Sequence, residues 1–328
     1  MAEFLEASIG RVFGKDNRLY LMGLAMIWIV FFHISFWYEE AGIGTAPWWI
    51  KIFAEGQLGV DIFFFLSAYG LAASIEKNSI MKFYMNRVKR LFPVYILFLL
   101  VLFLTFARDC PVKLMFLQSI YQITGISLIK YAHFFSTGFC FDWFTPAIIF
   151  IYLFFPIISA VIKKIQNHGL FAELFLIAFL VIVGHWIHVN KHFPFALLAY
   201  RLPIIALGAM SYNHLAKNEV QRVLKLYLAG IVIAFVCNEK AIILSLIIPS
   251  VLTVFSMTRF ELPMRVFVCL VGRYSYEVYL GHIFFVAFFI PMGYVTNVLL
   301  ITLITLVGTT VVSTFFSLSQ HYFYKIRL

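Results

Sequence analysis

The chain has 328 residues, 63% of them hydrophobic and 12% charged, about half the charged share of an ordinary soluble domain. A surface that poor in charge cannot keep a globule in water, so a soluble enzyme is excluded and lipid is the expected solvent. The net charge of +10 comes as short basic bursts between apolar runs, which argues against nucleic acid as a partner and reads as membrane topology.

A membrane-crossing helix takes roughly 20 mostly apolar residues. Ten stretches read as spans: Leu19–Trp37, Leu58–Ile75, Leu91–Ala107, Phe144–Ile162, Leu170–Val189, Ala196–His214, Val223–Val236, Ala241–Met257, Val266–Phe289 and Val295–Phe316. The seventh and eighth are short, and only Cys237, Asn238, Glu239 and Lys240 separate them. They form either a tight hairpin or a re-entrant pair. Between the third and fourth spans, Val112 to Phe141 is neither a clean span nor a clean loop. There Leu114, Leu117, Ile120, Tyr121 and Ile123 recur near helical spacing, which predicts an amphipathic helix lying in the interface.

Lysine and arginine set the orientation. Arg11, Lys15 and Arg18 fall on one side with the run from Lys77 to Arg90, with Lys163 and Lys164, and with Lys217, Arg222 and Lys225. Arg259, Arg265, Lys325 and Arg327 join them, whereas the opposite loops hold fewer cations, some offset by Glu39, Glu40, Glu55 and Asp109. The expected fold is all-α: a polytopic bundle of about ten spans, a single domain over residues 1–328, with both termini cytoplasmic. The charged N-terminus and full-length first span predict no cleavable signal peptide. Cys110, Cys140, Cys237 and Cys269 show no metal-ligand spacing, and no metal is expected. They read as scattered small hydrophobes, although a disulfide between Cys110 and Cys140 stays open.

Ionisable groups inside spans are expensive and usually face the bundle interior. Counting about 1.5 Å per residue from the helix ends gives each a depth. His33, Asp61, Arg201 and His282 all fall in the outer half, and Glu277 near the middle. Together they outline a buried polar chamber opening outward, in which a neutral imidazole suits general-base work. The plainer alternative is a structural Asp61–Arg201 ion pair with each histidine a satisfied core residue. On the cytoplasmic side Arg87 and Arg90, three apart, share a helix face and could grip a phosphate. The plainer alternative there is a positive-inside anchor.

These stretches resemble a known pattern. Gly59-Val60-Asp61-Ile62-Phe63-Phe64-Phe65-Leu66-Ser67 is similar to the GVDxFFxLSG signature of the membrane acyltransferase 3 family, with Ala68 in place of its last glycine. His33 after Gly23-Leu24-Ala25 matches the opening span. Arg87-x-x-Arg90 with Pro93 and Tyr95, Trp143 with Tyr152 and Pro156, and Arg201 with Gly208 follow in order. The run from Ser275 to His282 resembles SYxxYLxH. The family's opening Asp-x-x-Arg is absent: Leu19 and Met22 stand there, and Arg18, one turn before Met22, is the candidate substitute.

The resemblance implies an acyl-CoA-dependent O-acyltransferase of a bacterial inner membrane. It would move an acyl group, typically acetyl from acetyl-CoA, to a hydroxyl of an extracytoplasmic polysaccharide or glycolipid. Arg87, Arg90 and Arg18 would hold the donor; His33 would be general base, with Asp61 orienting it. Arg201, Tyr279, His282, Ser275 and Glu277 would support the oxyanion or the acceptor. Membrane lipid and the glycan are the expected partners. The competing readings are a proton-coupled transporter, disfavoured by the lack of a visible inverted repeat, and a degenerate member acting in glycan assembly.

Overall fold

The computed structural model describes residues 15–106, 111–128, 142–190, 195–217, 219–238, 242–247, 264–286 and 295–325, with Lys240, Ile290 and Gly293. Cys110, Cys140, most of the eighth span, Arg11, Arg259 and Arg327 lie outside the described residues. The helices are α1 (Lys15–Glu40), α2 (Trp48–Lys51), α3 (Gly59–Lys77), α4 (Ile80–Phe106), α5 (Val112–Thr124), α6 (Phe144–Asn167) and α7 (Leu170–Asn190). They continue with α8 (Phe195–Ala199), α9 (Leu202–Leu215), α10 (Val220–Val236), α11 (Arg265–Arg273), α12 (Ser275–Phe284) and α13 (Val298–Lys325), and there is no strand among the described residues.

Among the described residues, seven helical stretches are long and apolar enough to cross a bilayer: Asn17–Glu40, Trp48–Lys77, Ile80–Thr105, Phe144–Asn167, Leu170–Asn190, Phe195–Leu215 and Val298–His321. The protein is a multi-pass helical membrane protein. Of the other expected spans, the seventh and ninth come as shorter or broken pieces. The seventh is α10, after which Asn238 takes a left-handed turn (φ 52°), a conformation asparagine tolerates well. Leu246 then returns against Gly230, so the described part of this pair is a tight hairpin. The ninth is interrupted at Tyr274, between α11 and α12.

The helices sort by which faces they hide. From Gly59 to Ala68 every residue of α3 except Ser67 is buried, so α3 runs through the centre. By contrast, α7 leaves Phe171 and Phe175 88% and 75% exposed, a face fit for acyl chains. Close crossings depend on small residues. A Cβ at Gly272 of α11 would overlap the Leu19 carbonyl of α1, and one at Gly208 of α9 would overlap the Phe65 carbonyl of α3.

The sixth span is broken too. Pro203 in the first turn of α9 has no N–H to continue the helix from α8, and the turn at Tyr200–Arg201 aims Arg201 at α3. At the end of α6 where Lys163 meets Glu76 (2.8 Å), a polar cluster ties four helices. Glu173 of α7 is bonded by His214 of α9 (2.6 Å) and Arg222 of α10 (2.8 Å), and Asn213 bonds Gln166 of α6 (2.6 Å).

One expected element lies elsewhere. The helical periodicity after Val112 is real, but α5 does not rest on the surface. Gln122 accepts a hydrogen bond from Tyr95 (3.0 Å), eleven residues short of the end of α4, so its tip dips about 16 Å inward at 1.5 Å per residue. Gln118 and Gln122 face the bundle, while Val112, Phe116, Leu117 and Ile120 face out. Lipid on the outside reverses the faces that water would select.

Candidate active site

A cavity of about 270 Å³ opens between α1, α3, α4, α6 and α12. Arg18, Arg87, Arg90 and Asn86 line it at one end, and Ile29, Val60, Phe144 and Tyr279 at the other. Arg18 and Ile29 are eleven residues apart on α1, which sets its length at about 16 Å. The volume falls just below the usual range for a whole drug-sized ligand, roughly 300 Å³ upward. It suits a slender arm whose bulky end stays outside.

The mouth is cationic. The Arg18 guanidinium lies over Gly70, where a Cβ would sit 2.7 Å from Nη1, so the glycine makes room for it. Arg87 donates to Ser74 Oγ at 2.8 Å and stacks on Phe83 at 4.2 Å. None of the three arginines forms an ion pair among the described residues. Three guanidinium groups facing one volume suit an anion. Arg18, the candidate substitute one turn before Met22, lines this mouth.

Beyond the far end lie the histidines. His33 of α1 and His282 of α12 come from opposite ends of the sequence and meet with Nδ1 and Nε2 3.1 Å apart. The hydrogen-bond chain assigns the protons. His282 Nδ1 is 3.2 Å from the Val278 carbonyl, which only accepts, so that nitrogen carries the hydrogen and Nε2 offers its lone pair. His33 Nδ1 faces two acceptors, His282 Nε2 and the Ile29 carbonyl at 3.0 Å, and so it donates. The neutral His33 therefore keeps a bare Nε2, the nitrogen a general base needs. His282 is fully buried, and His33 is partly exposed.

Asp61 is not part of this pair. Its Oδ1 accepts from Arg201 Nε at 2.7 Å, with the two side chains 0% and 2% exposed. Arg201 also bonds the Leu197 carbonyl (2.8 Å) and lies over Tyr200 and Trp143, 4.2 and 5.2 Å from the ring centres. Neither Asp61 nor Arg201 lines the cavity, although Val60 and Phe63 beside Asp61 do. The expected chamber is thus two constellations: a histidine pair, and a separate sealed ion pair. The reason is rotation about the helix axis, which points Asp61 toward α9 and not toward α1. Ser275 lines the cavity, whereas Glu277 is buried off it, in the field of Arg90.

Two residues at the site were given no role by the sequence reading. Asp142, directly before the Trp143-led span, accepts from the Tyr279 hydroxyl at 2.7 Å and from the Thr145 backbone N–H at 2.9 Å. Burial raises its carboxyl above the ordinary range, against the lowering effect of Thr145, Tyr279 and the nearby Tyr95 hydroxyl. Tyr276, which lines the cavity, pairs with Thr145 Oγ1 at 3.2 Å. An acidic residue abutting an apolar run was the available signal for Asp142.

A family model described as an acyltransferase domain, acyltransferase 3, matches residues 20–318. A relative from Acidianus two-tailed virus, "Putative acetyltransferase ORF330", is 27% identical over 201 residues, which is 60% of this chain and 55% of the relative. The chain thus spans about half the length of that curated relative. No solved structure matches.

Proposed function

The chain belongs to the acyltransferase 3 family, and from that premise we propose that it moves an acyl group, acetyl in the first instance, from cytosolic acyl-CoA to a hydroxyl of an extracytoplasmic glycan or glycolipid. One observation carries this reading: three arginines with no ion pair among the described residues stand at the mouth of a narrow cavity that runs toward a histidine pair. The donor's phosphates sit at Arg18, Arg87 and Arg90, and its arm extends along α1 past Ser67 and Ser275. Both termini lie on the arginine side in this reading, with about ten spans in a bacterial inner membrane. Acceptor and donor then approach from opposite faces.

The chemistry follows from the proton assignment. His33 Nε2 takes the proton of the acceptor hydroxyl as its oxygen bonds to the thioester carbonyl carbon. The imidazolium so formed keeps its Nδ1–H on His282 Nε2 and the Ile29 carbonyl. As the tetrahedral intermediate collapses, the carbon–sulfur bond breaks, and the proton passes to the leaving thiolate. His282 does here what a carboxylate does in other triads: it fixes the tautomer and spreads the charge. Asp61 and Arg201 brace α3 against α9 and act on the chemistry only through the scaffold.

The test is mass spectrometry of surface glycans from cells carrying the intact protein or His33→Ala, matched for membrane insertion. Loss of O-acyl groups in the variant is expected. Normal acylation by well-inserted His33→Ala would remove His33 from the mechanism.

A further inference from the structure

The cavity and the histidine pair do not meet. The lining ends at Ile29 and Tyr279, one turn before His33 on α1 and three residues before His282 on α12. Tyr279 both lines that end of the cavity and touches His282. The Tyr279 ring is edge-on to His282 with centres 5.5 Å apart, and 5.0 Å from Phe144. Its hydroxyl is committed to Asp142 Oδ1, which the Thr145 N–H also grips. Asp142 is 3% exposed, and its Oδ2 makes no hydrogen bond among the described residues. A phenol has one proton to give. While Asp142 holds that proton, Tyr279 is a wall and cannot serve an oxyanion.

We propose that Asp142 is a positioning residue that holds Tyr279 as the partition between the donor cavity and the histidine pair. Releasing the hydrogen bond does two things at once. The ring can swing aside, so the acyl carbon reaches the hydroxyl at His33, and the phenol proton becomes available to the oxyanion that forms there. While latched, the partition keeps water and ions from running between the two faces of the membrane along the arginine-lined cavity. This rests on the cavity being the donor site, and the test below separates the two.

The experiment reads accessibility from each side. Cys110, Cys140, Cys237 and Cys269 are replaced by serine, and Ser67, which lines the cavity and is partly exposed, by cysteine. The protein is reconstituted in vesicles of known orientation, and a charged, membrane-impermeant thiol reagent is added on one side or the other. Modification is expected from the arginine side only. Asp142→Leu, which keeps the bulk but has no acceptor, and Tyr279→Phe, which has no donor, should raise modification from the histidine side at least tenfold. Asp142→Glu, which keeps a carboxyl near the phenol, should stay closed.

Background labelling from the histidine side in both bond-breaking variants would overturn the assignment. So would equal labelling of the unaltered partition from both sides. Opening by Asp142→Glu as well would trace the effect to loosened packing and would also overturn it. Protection of the cysteine by acetyl-CoA added on the arginine side reports on the donor site alone. Absence of protection refutes that site and leaves the sidedness result readable.

Discussion

Changing Asp61 to asparagine separates scaffold from chemistry. The substitution preserves shape and removes a charge that faces Arg201 at 2.7 Å with both side chains essentially inaccessible. Breaking one side of a buried pair costs about 3–5 kcal/mol, because the other charge is left uncompensated. Arg201 cannot relieve the strain by losing its proton. It does retain the Leu197 carbonyl and the Tyr200 and Trp143 rings, so the low end, about 3 kcal/mol, is expected. The converse change, Arg201→Met, leaves a carboxyl that can protonate. From an ordinary aspartate pKa near 4, protonation at pH 7 costs about 4 kcal/mol, which caps the loss. The double variant Asp61→Leu/Arg201→Met should recover most of the stability, since a packed apolar pair replaces an ion pair at little cost. Unfolding in detergent gives the stabilities, and acetyl-CoA binding by the folded fraction, expected to be unchanged, gives the site. An Asp61→Asn protein of normal stability that binds donor but does not turn over would refute the reasoning and return Asp61 to the chemistry.

Arg18→Gln removes a charged donor at the cavity mouth. Acetyl-CoA binding should weaken about tenfold or more, and added salt should weaken the unaltered protein more steeply than the variant; equal salt slopes would exclude Arg18 from the anion site. His33→Ala should cut acyl transfer by about 10²–10⁴-fold with donor binding intact, and His282→Ala by less, since His33 keeps its bond to Ile29. Thiol release from acetyl-CoA measures both, and a larger loss for His282→Ala would reverse the assigned roles. Gly272→Val places side-chain carbons where the Leu19 carbonyl lies, so destabilisation of at least about 1–3 kcal/mol is expected; a normal melting temperature would show that the α1–α11 crossing can relax.

What the sequence made legible was depth, and what it hid was direction. A rise of about 1.5 Å per residue put His33 and His282 at one level, and they meet 249 positions apart at 3.1 Å. The same count put Asp61 beside them, but counting says nothing of rotation, and Asp61 turns to α9. In a soluble helix the apolar face would mark the inside. Here lipid surrounds the bundle, so the α5 pattern gave a helix with its faces reversed. Asp142 was missed for a related reason: a charge at the edge of an apolar run looks solvated unless the turn before it is known to be buried.

The two broken spans differ in how their freed backbone is treated. An interrupted helix persists at membrane depth only where protein or a wet cavity takes up the loose polar groups. At Tyr200–Arg201 the protein supplies the partners: Arg201 N reaches Leu198 O at 3.1 Å, Ile205 N reaches Arg201 O at 3.2 Å, and the guanidinium takes Leu197 O. That break is closed, and its task is to brace Asp61. At Tyr274 the new helix has its first bond from Val278 N to Tyr274 O at 2.9 Å; the Glu277 N–H is taken by its own carboxylate, which leaves the N–H groups of Ser275 and Tyr276 before it. Ser275 and Tyr276 line the cavity, so the positive end of α12 opens where three arginines already gather. A break satisfied by its own side chains belongs to the scaffold. One that opens beside a cationic cavity is suited to hold an anionic ligand there, and it joins the arginine-lined mouth to the helix that carries Tyr279 and His282.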